Sequence, residues 1–502
     1  MHTEITNTPL PGASLNPCRI CHLGVEKRSD KSGEDYIYQF LGMDSLGNRD
    51  VVDFRDWNET IERSYKLWET AVNHSKDDYI NESKALGVQD VINKAFVDML
   101  KDRKKVGEVG KIMALDEHQK HKLFNPFLCL LGFDGCQDTP VEILHVILLG
   151  IIKYITIDFL SNTIKPRHVN NLLGAWQSFI THSLDLPEIN AAYLYKHHKS
   201  MVGKDFKIIL QCAPFVFFQF MDEQQRELWR SLCRMAPYVF QTHISDMDVY
   251  LKELEILVDH LLLQLMKCNA RWVNKPKFHM LIHLVHSIAR FGPASLFATE
   301  KFESFNSILR NASIHSNRQH PGRDLAISFS NFQCLRAILS GAYLWNHVKK
   351  FYFVASANLK RIFQLEDIQQ SMGYVHSSIH GSGSQFPEVL KARLHNSDKL
   401  EIPQGVRNKY PNQHITQVFC MKLDDKRSVQ KDYFLFVDNP RTKSGNICQI
   451  HSMWKVTSKS ALGPKKPIYC MQVNLFDQSN VSDYYQMRIL NRTNKYNICL
   501  PE

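Results

Sequence analysis

No internal repeat and no long low-complexity tract occurs in this chain of 502 residues, which argues against a solenoid or a disordered array. The opening lead is polar and carries prolines, so a secretory leader is not expected. Long hydrophobic runs are lacking too. The most apolar stretch, Val141 to Leu160, is interrupted by Glu142, His145, Lys153 and Asp158. Its apolar run reads as too short to span a bilayer, so a core helix is expected and no membrane partner. The 12 cysteines form no disulfide framework; most sit in apolar runs such as Phe127-Leu128-Cys129-Leu130, as reduced, buried thiols do. These absences together point to nucleus or cytoplasm and away from secretion.

What is present suits a chain of two to four domains, with 44% apolar residues to build cores. Lys and Arg number 61 against 51 Asp and Glu, a formal net charge of +10, with 23 histidines besides. A basic surplus favours nucleic acid or another polyanion as partner.

The pattern along the chain predicts mainly α structure with α+β character. Residues 1–50 read as an irregular segment punctuated by Pro9, Pro11 and Pro17, and residues 51–370 as a helical domain. Within it, helix-period apolar positions mark Trp57 to Asn73, Val88 to Lys101, Glu223 to Met235 and Met247 to Lys267, with one or two more helices over Asp324 to Lys350. Thr139-Pro140-Val141-Glu142 reads as a capping box, which accounts for Glu142 without a metal although Glu142 and His145 share a face. Residues 371–399 form a linker, rich in glycine and serine between Met372 and Gln385. Residues 400–502 carry short β-rich runs at Ile415–Leu423, Tyr433–Val437, Ile447–Val456, Ile468–Phe476 and Tyr484–Leu490, the spacing of a small β-barrel or sandwich. Its aromatics (Tyr433, Trp454, Tyr469, Tyr484 and Tyr485) serve as core or line a groove for a protein partner.

Two constellations carry chemistry. Cys18-Arg19-Ile20-Cys21-His22 matches the haem-attachment pattern literally, but without an export signal no haem is expected. Two readings stand: half of a zinc site, with His118-x-x-His121 as the obvious distant pair, or two free thiols. The second constellation is Asn274 to Asp324. Its first helix places His279, His283 and His286 on one side, and Arg290-Phe291-Gly292-Pro293 breaks it. A second helix, with Thr299 as N-cap, sets Phe302, Phe305, Ile308 and Leu309 on one face and Glu300, Glu303, Ser307 and Arg310 on the other. Carboxylates beside cations suit a hard metal and a phosphate backbone, while exposed glutamates on a helix are ordinarily just a solvated face. Lys275, Lys277, Arg290, Arg310, Arg318 and Arg323 are the candidate DNA contacts.

Three segments together resemble one protein family: MHTEITNTPLPGASLNPCRICHLG at the start, DTPVEILHVILLGIIK from Asp138, and KPKFHMLIH, RFGP and ATEKFESFN followed by IHSNRQ and PGRD. They look like the C-terminal part of the CACTA-like and Plavaka transposases abundant in fungal genomes. The resemblance spans about residues 1–325. It implies an RNase H-like core with a helical insertion, two Asp and one Glu holding divalent metals, and zinc on a Cys-x-x-Cys element. In the family an Asp stands shortly before Met-His-x-Glu, and here that motif opens the sequence. The resemblance therefore implies a helical remnant of the core, with Glu300 and Glu303 as vestigial catalytic candidates and both Asp missing. One surviving Glu does not hold two ions, so magnesium is expected only if an Asp-bearing partner completes the site. The leading expectation is an inactive transposase-derived protein with residual, non-specific DNA binding. The alternatives are an interaction module acting through residues 400–502 and a fragment of an active transposase or nuclease.

Overall fold

The computed structural model describes the chain apart from residues 1–5, 9–15, 17, 25–32, 45, 93, 95–96, 99–106, 108–109, 112–113, 117–118, 120–124, 185, 269–272, 315, 317–318, 372–387, 391–398, 424–427, 439–444, 459–466 and 500–502. The expected linker between Met372 and Gln385, and His118 with His121, lie outside the described residues. The chain divides into two compact units. One holds Met1–Phe179 with Ile189–Glu300, the other Ile180–Glu188 with Lys301–Glu502.

The first unit is built of helices: α1 Glu34–Leu41, α2 Trp57–Asn73, α3 Lys76–Leu86, α4 Leu144–Thr163, α5 Val169–Gln177, α6 Ala191–Lys196, α7 Gly203–Phe217, α8 Glu223–Val239, α9 Met247–Lys267, α10 Pro276–Met280 and α11 Leu284–Phe291. Helix α1 falls in the stretch read as irregular. The Asp56 carboxylate starts α2 by accepting the Glu59 N–H at 2.9 Å, and α2 buries Trp57, Leu67, Trp68 and Ala71. Helix α3 has too few apolar residues for a periodic signal. Its ends define it instead, by a Ser75–Asp78 capping box and Gly87 in the left-handed region at φ 67°.

Helix α4 is the expected core helix, but it is longer than the sequence reading made it. By length and composition this 20-residue run is long enough to cross a membrane, since it continues past the interruptions to Thr163. It is instead an internal element, buried against α7 and α10 and lined by Ile147, Leu148, Ile151, Ile152, Ile155 and Phe159. Phe217 is the hub beside it. Its ring stacks on Phe159 at 4.5 Å and meets Trp176 and Trp229 edge-on at 5.2 and 5.8 Å. Leu254, Val258, Leu261, Leu262 and Leu265 form the fully buried stripe of α9, which packs on α8; Leu251 is only half-buried.

The expected capping box at Thr139 does not form. The Thr139 hydroxyl donates to the Gly135 carbonyl and accepts from Arg19, and the helix begins four or five residues later. Glu142 is itself the cap: its carboxylate accepts the N–H groups of Leu144 and His145 at 2.8 and 2.7 Å.

The second unit opens with most of α12 (Glu300–Ile314) and α13 (Pro321–Leu339). The apolar face of α12 is exposed at Phe302, Phe305 and Ile308, with Phe305 meeting the Phe329 ring at 5.5 Å. The stretch Asp324 to Lys350, expected to give one or two helices, gives α13, and its end enters a hairpin, β1 Leu344–Asn346 paired with β2 Phe351–Phe353. Alternating aromatic residues explain this, because bulky rings on a pleated ribbon favour strand over helix. Short helices α14 Ala357–Phe363 and α15 Glu366–Ser371 follow.

The C-terminal part is antiparallel β: β3 Glu388–Leu390, β4 Gln413–Val418, β5 Cys420–Lys422, β6 Ser428–Gln430, β7 Phe434–Asp438, β8 Gly445–Ser458, β9 Ile468–Val481 and β10 Arg488–Cys499, with helix α16 Gln404–Lys409 before β4. Five strands form one sheet in the order β10-β9-β8-β4, with β7 also on β8, and β3-β5-β6 form a second. Val418, Met421, Val429, Ile450, Met453 and Val473 join the two sheets in one core, while Trp454, Val456 and Cys470 pack with Val406 of α16 in another. Trp454 and Tyr469 are thus core side chains, the first of the two uses the sequence left open for them. Tyr484 and Tyr485 sit in the β9–β10 turn, because the last strand begins at Arg488.

Candidate metal centre

Two distant pairs of soft donors meet inside the first unit. Cys18 and Cys21 lie on a loop, and His279 and His283 on the helical run α10–α11, which tightens to a 3-10 turn at Leu281–His283. All four residues are buried, and their donor atoms lie within 4.8 Å of one another. Cys18 Sγ stands 3.3 Å from His283 Nε2, Cys21 Sγ 3.3 Å from His279 Nε2, and the two Nε2 atoms 3.3 Å apart. A tetrahedral zinc with Zn–N near 2.0 Å and Zn–S near 2.3 Å needs donor separations of roughly 3.3–3.8 Å.

The loop is positioned by two buried arginines. From Arg19, Nε donates to Thr139 Oγ1 at 3.0 Å, and Nη2 to the Thr139 and Pro140 carbonyls at 2.8 and 3.2 Å. Arg55 donates to the carbonyls of Cys21, Gly87 and Asn16 at 3.1, 3.3 and 3.3 Å. A backbone bridge between Cys21 and Phe54 completes the frame, and the Ile20 N–H donates to Cys18 Sγ at 3.3 Å. On the helical side, His279 Nδ1–H donates to the Phe40 carbonyl at 2.7 Å, which turns its Nε2 lone pair toward Cys21. Among the described residues, His283 Nδ1 has no hydrogen-bond partner.

The electrostatics favour a ligand set. Burial pushes the Cys18 thiol up, but a hydrogen bond from Cys21 and the neighbouring His283 and His279 outweigh it and hold Cys18 well below its ordinary value. Cys21 is raised, first by that same bond and then by burial. A cation held between the two sulfurs would favour their deprotonated forms. Burial also lowers His283 against the pull of Cys18, keeping its imidazole neutral as a ligand must be. A pocket lined by Cys21, His22, Asp50, Asp53, His279 and His283 gives an ion a way in. Four protein donors leave no open position, so the set can hold a metal such as zinc in a structural role rather than a catalytic one.

The cysteine pair lies where the sequence pointed, and the structure sets His279 and His283 beside it; His118 and His121 lie outside the described residues. The spacing His-x-x-x-His was the available signal. His286, expected on the same side, turns away; its Nε2 meets Gln137 Oε1 at 2.6 Å and its ring packs on Phe54 at 4.8 Å.

The other candidates are dispersed. Glu300 pairs with Lys207 at 2.8 Å, and Glu303 is an exposed side chain in the second unit. Glu142 is committed to its cap, to the Thr299 N–H at 3.3 Å and to His145. Among the described residues, Cys18, Cys21, His279 and His283 are the one group of three or more such side chains placed to share an ion. Lys277 reaches inward and donates to the Leu149 carbonyl at 2.7 Å. That contact requires Gly150, since a Cβ there would lie 3.0 Å from Lys277 Cδ. Arg290 pairs with Asp138 just before Gly292, whose φ of 82° ends α11 at the expected break. Lys275, Arg310 and Arg323 are exposed, and Arg318 lies outside the described residues. Compared with known protein families, curated proteins and solved structures, the chain matches none.

Proposed function

We propose that this chain is a transposase-derived protein, knit by a structural zinc ion, that binds duplex DNA without sequence preference and does not itself cut it. The observation that carries the reading is that the three family-like segments, more than a hundred residues apart in the chain, converge on one another. Cys18 and Cys21 meet His279 and His283. Arg19 grips Thr139 and Pro140, the Ser287 hydroxyl accepts the Val141 N–H at 3.1 Å, Arg290 pairs with Asp138, and Glu142 accepts the Thr299 N–H. Motifs that resemble one family and also pack together are what a shared functional core would leave behind. In this reading the first unit is the helical part of an RNase H-like core.

Inactivity follows from where the carboxylates go. Two-metal chemistry needs acidic groups on both sides of the scissile phosphate. Glu300 is engaged by Lys207, and Glu142 by backbone N–H groups. Supercoiled plasmid incubated with the protein and Mg²⁺ or Mn²⁺ will remain supercoiled. Metal-dependent nicking that disappears in Glu303→Gln would refute this part of the proposal.

DNA binding rests on the exposed cations Lys275, Arg310 and Arg323 in a chain of net charge +10. Phosphate contacts release counterions, so duplex affinity on the order of micromolar will fall steeply between low and physiological salt. Arg310→Ala with Arg323→Ala will weaken all sequences alike, because backbone contacts position without specifying. A fluorescence-anisotropy titration at two salt concentrations measures this; salt-insensitive or absent binding contradicts it.

A further inference from the structure

We infer that the hairpin β1–β2 is a contact site for single-stranded nucleic acid. This goes beyond the duplex-binding proposal and stands on different residues.

The hairpin is short and aromatic on both faces. Cross-strand register pairs Leu344 with Phe353, Trp345 with Tyr352 and Asn346 with Phe351. Alternation therefore sets Trp345 and Tyr352 on one face, with ring centroids 4.7 Å apart, and Phe351 and Phe353 on the other. All four rings are exposed, Tyr352 to 68%, and Tyr343 at the entry is exposed to 79%. A two-stranded ribbon that buries neither face gains little from its rings in water, so they are better explained by a partner than by folding.

The surrounding charge says which partner. From Leu325 to Leu365 the chain has no Asp or Glu, while Arg336, Lys349, Lys350, Lys360 and Arg361 supply positive charge. Lys349 and Lys350 stand exposed at the hairpin tip beside His347. The tip is ordered by Asn346, whose Oδ1 accepts the N–H groups of Val348 and Lys349 at 3.0 and 2.9 Å. Its carbonyl takes the Lys350 N–H at 2.8 Å, with Lys350 itself in the left-handed region at φ 54°. Lys360 lies at the base, its Cε 3.7 Å from where a Cβ on Gly341 would be. Exposed rings on two faces, with cations at the tip and the base, match unstacked bases with their phosphates. A protein or lipid surface would select one apolar face, whereas bases stack on rings wherever they are presented.

The experiment titrates full-length protein against a fluorescein-labelled oligo-dT strand and, in parallel, a labelled duplex. Tyr352→Ala should lose about tenfold or more in oligo-dT affinity, the effect of one stacked base, with duplex affinity unchanged. Tyr352→Phe should restore binding, since it keeps the ring, and Lys349→Glu with Lys350→Glu should weaken binding and flatten its salt dependence. Circular dichroism checks that each variant keeps the wild-type fold. The inference is overturned if wild-type protein does not bind oligo-dT, or if Tyr352→Ala changes nothing or weakens duplex equally. Association with phosphatidylserine vesicles that Tyr352→Ala abolishes, without oligo-dT binding, would overturn it in favour of a lipid surface. Oligo-dT binding without duplex binding would sink the duplex proposal and leave this one standing.

Discussion

Protein purified without chelator will carry about one zinc ion per chain, and Cys18→Ser or His283→Ala will carry none. The ligands come from chain positions 258 and 265 residues apart, so the ion cross-links most of the first unit. By loop-closure entropy alone, joining positions that far apart constrains the unfolded chain by roughly 5 kcal/mol. A chelator, or loss of either ligand, should lower the melting temperature on the order of 10 °C. Losing the ion also leaves Arg19 and Arg55 bracing a loop with nothing at its centre, so protease cleavage between Cys18 and α1 should quicken. Affinity will fall as pH falls, because the thiolates and imidazoles must shed protons to bind. Cys334→Ser is the control: that thiol is exposed, belongs to the other unit, and should change neither zinc content nor melting temperature. Zinc-free protein with an unshifted melting temperature after chelation would leave the two pairs as packed free thiols and core histidines.

Glu142→Ala will destabilise the first unit by about 3 kcal/mol at neutral pH. The carboxylate is almost fully buried and takes the N–H groups of Leu144, His145 and Thr299, and it pairs with the His145 ring. Burial pushes its pKa up, yet His145 and the backbone donors outweigh burial and bring it down to about 2 from an ordinary 4.5. A depression of that size corresponds to about 3 kcal/mol of linked stability. Since the folded value lies below the unfolded one, the contribution is present above about pH 4.5 and is lost as pH falls toward 2. Wild type should therefore lose stability across that window and Glu142→Ala should lose less. Glu142→Gln, which keeps an acceptor but no charge, should fall between. An unaltered unfolding midpoint in Glu142→Ala, together with a lost Mn²⁺-binding signal, would make this residue a metal ligand and not a helix cap.

Local signals were readable from the sequence wherever one element decides its own shape. Helix α9 begins and ends at the residues its apolar period marks, α2 does the same behind Asp56, and Gly292-Pro293 breaks α11 as expected. Readings failed where a distant residue decides. Thr139 has the right type for an N-cap, but Arg19 claims its hydroxyl, and the cap passes to Glu142. Periodicity placed Phe302, Phe305 and Ile308 on one face without saying whether a partner face exists, and that face is exposed. The same gap hid half of the metal centre. Cys18 and Cys21 announce themselves by spacing, whereas His279 and His283 on an apolar helix look like ordinary packing until the loop is folded over them. Only the Phe40 carbonyl on His279 Nδ1, a contact across 239 residues, gives that histidine its ligand orientation.

X-ray absorption at the zinc edge reads donor type and distance around the ion itself. The account predicts two sulfur scatterers near 2.3 Å and two nitrogen scatterers near 2.0 Å, with one sulfur lost in Cys18→Ser that retains any zinc by added metal. A shell of oxygen and nitrogen only, or a sulfur count unchanged in Cys18→Ser, would contradict it.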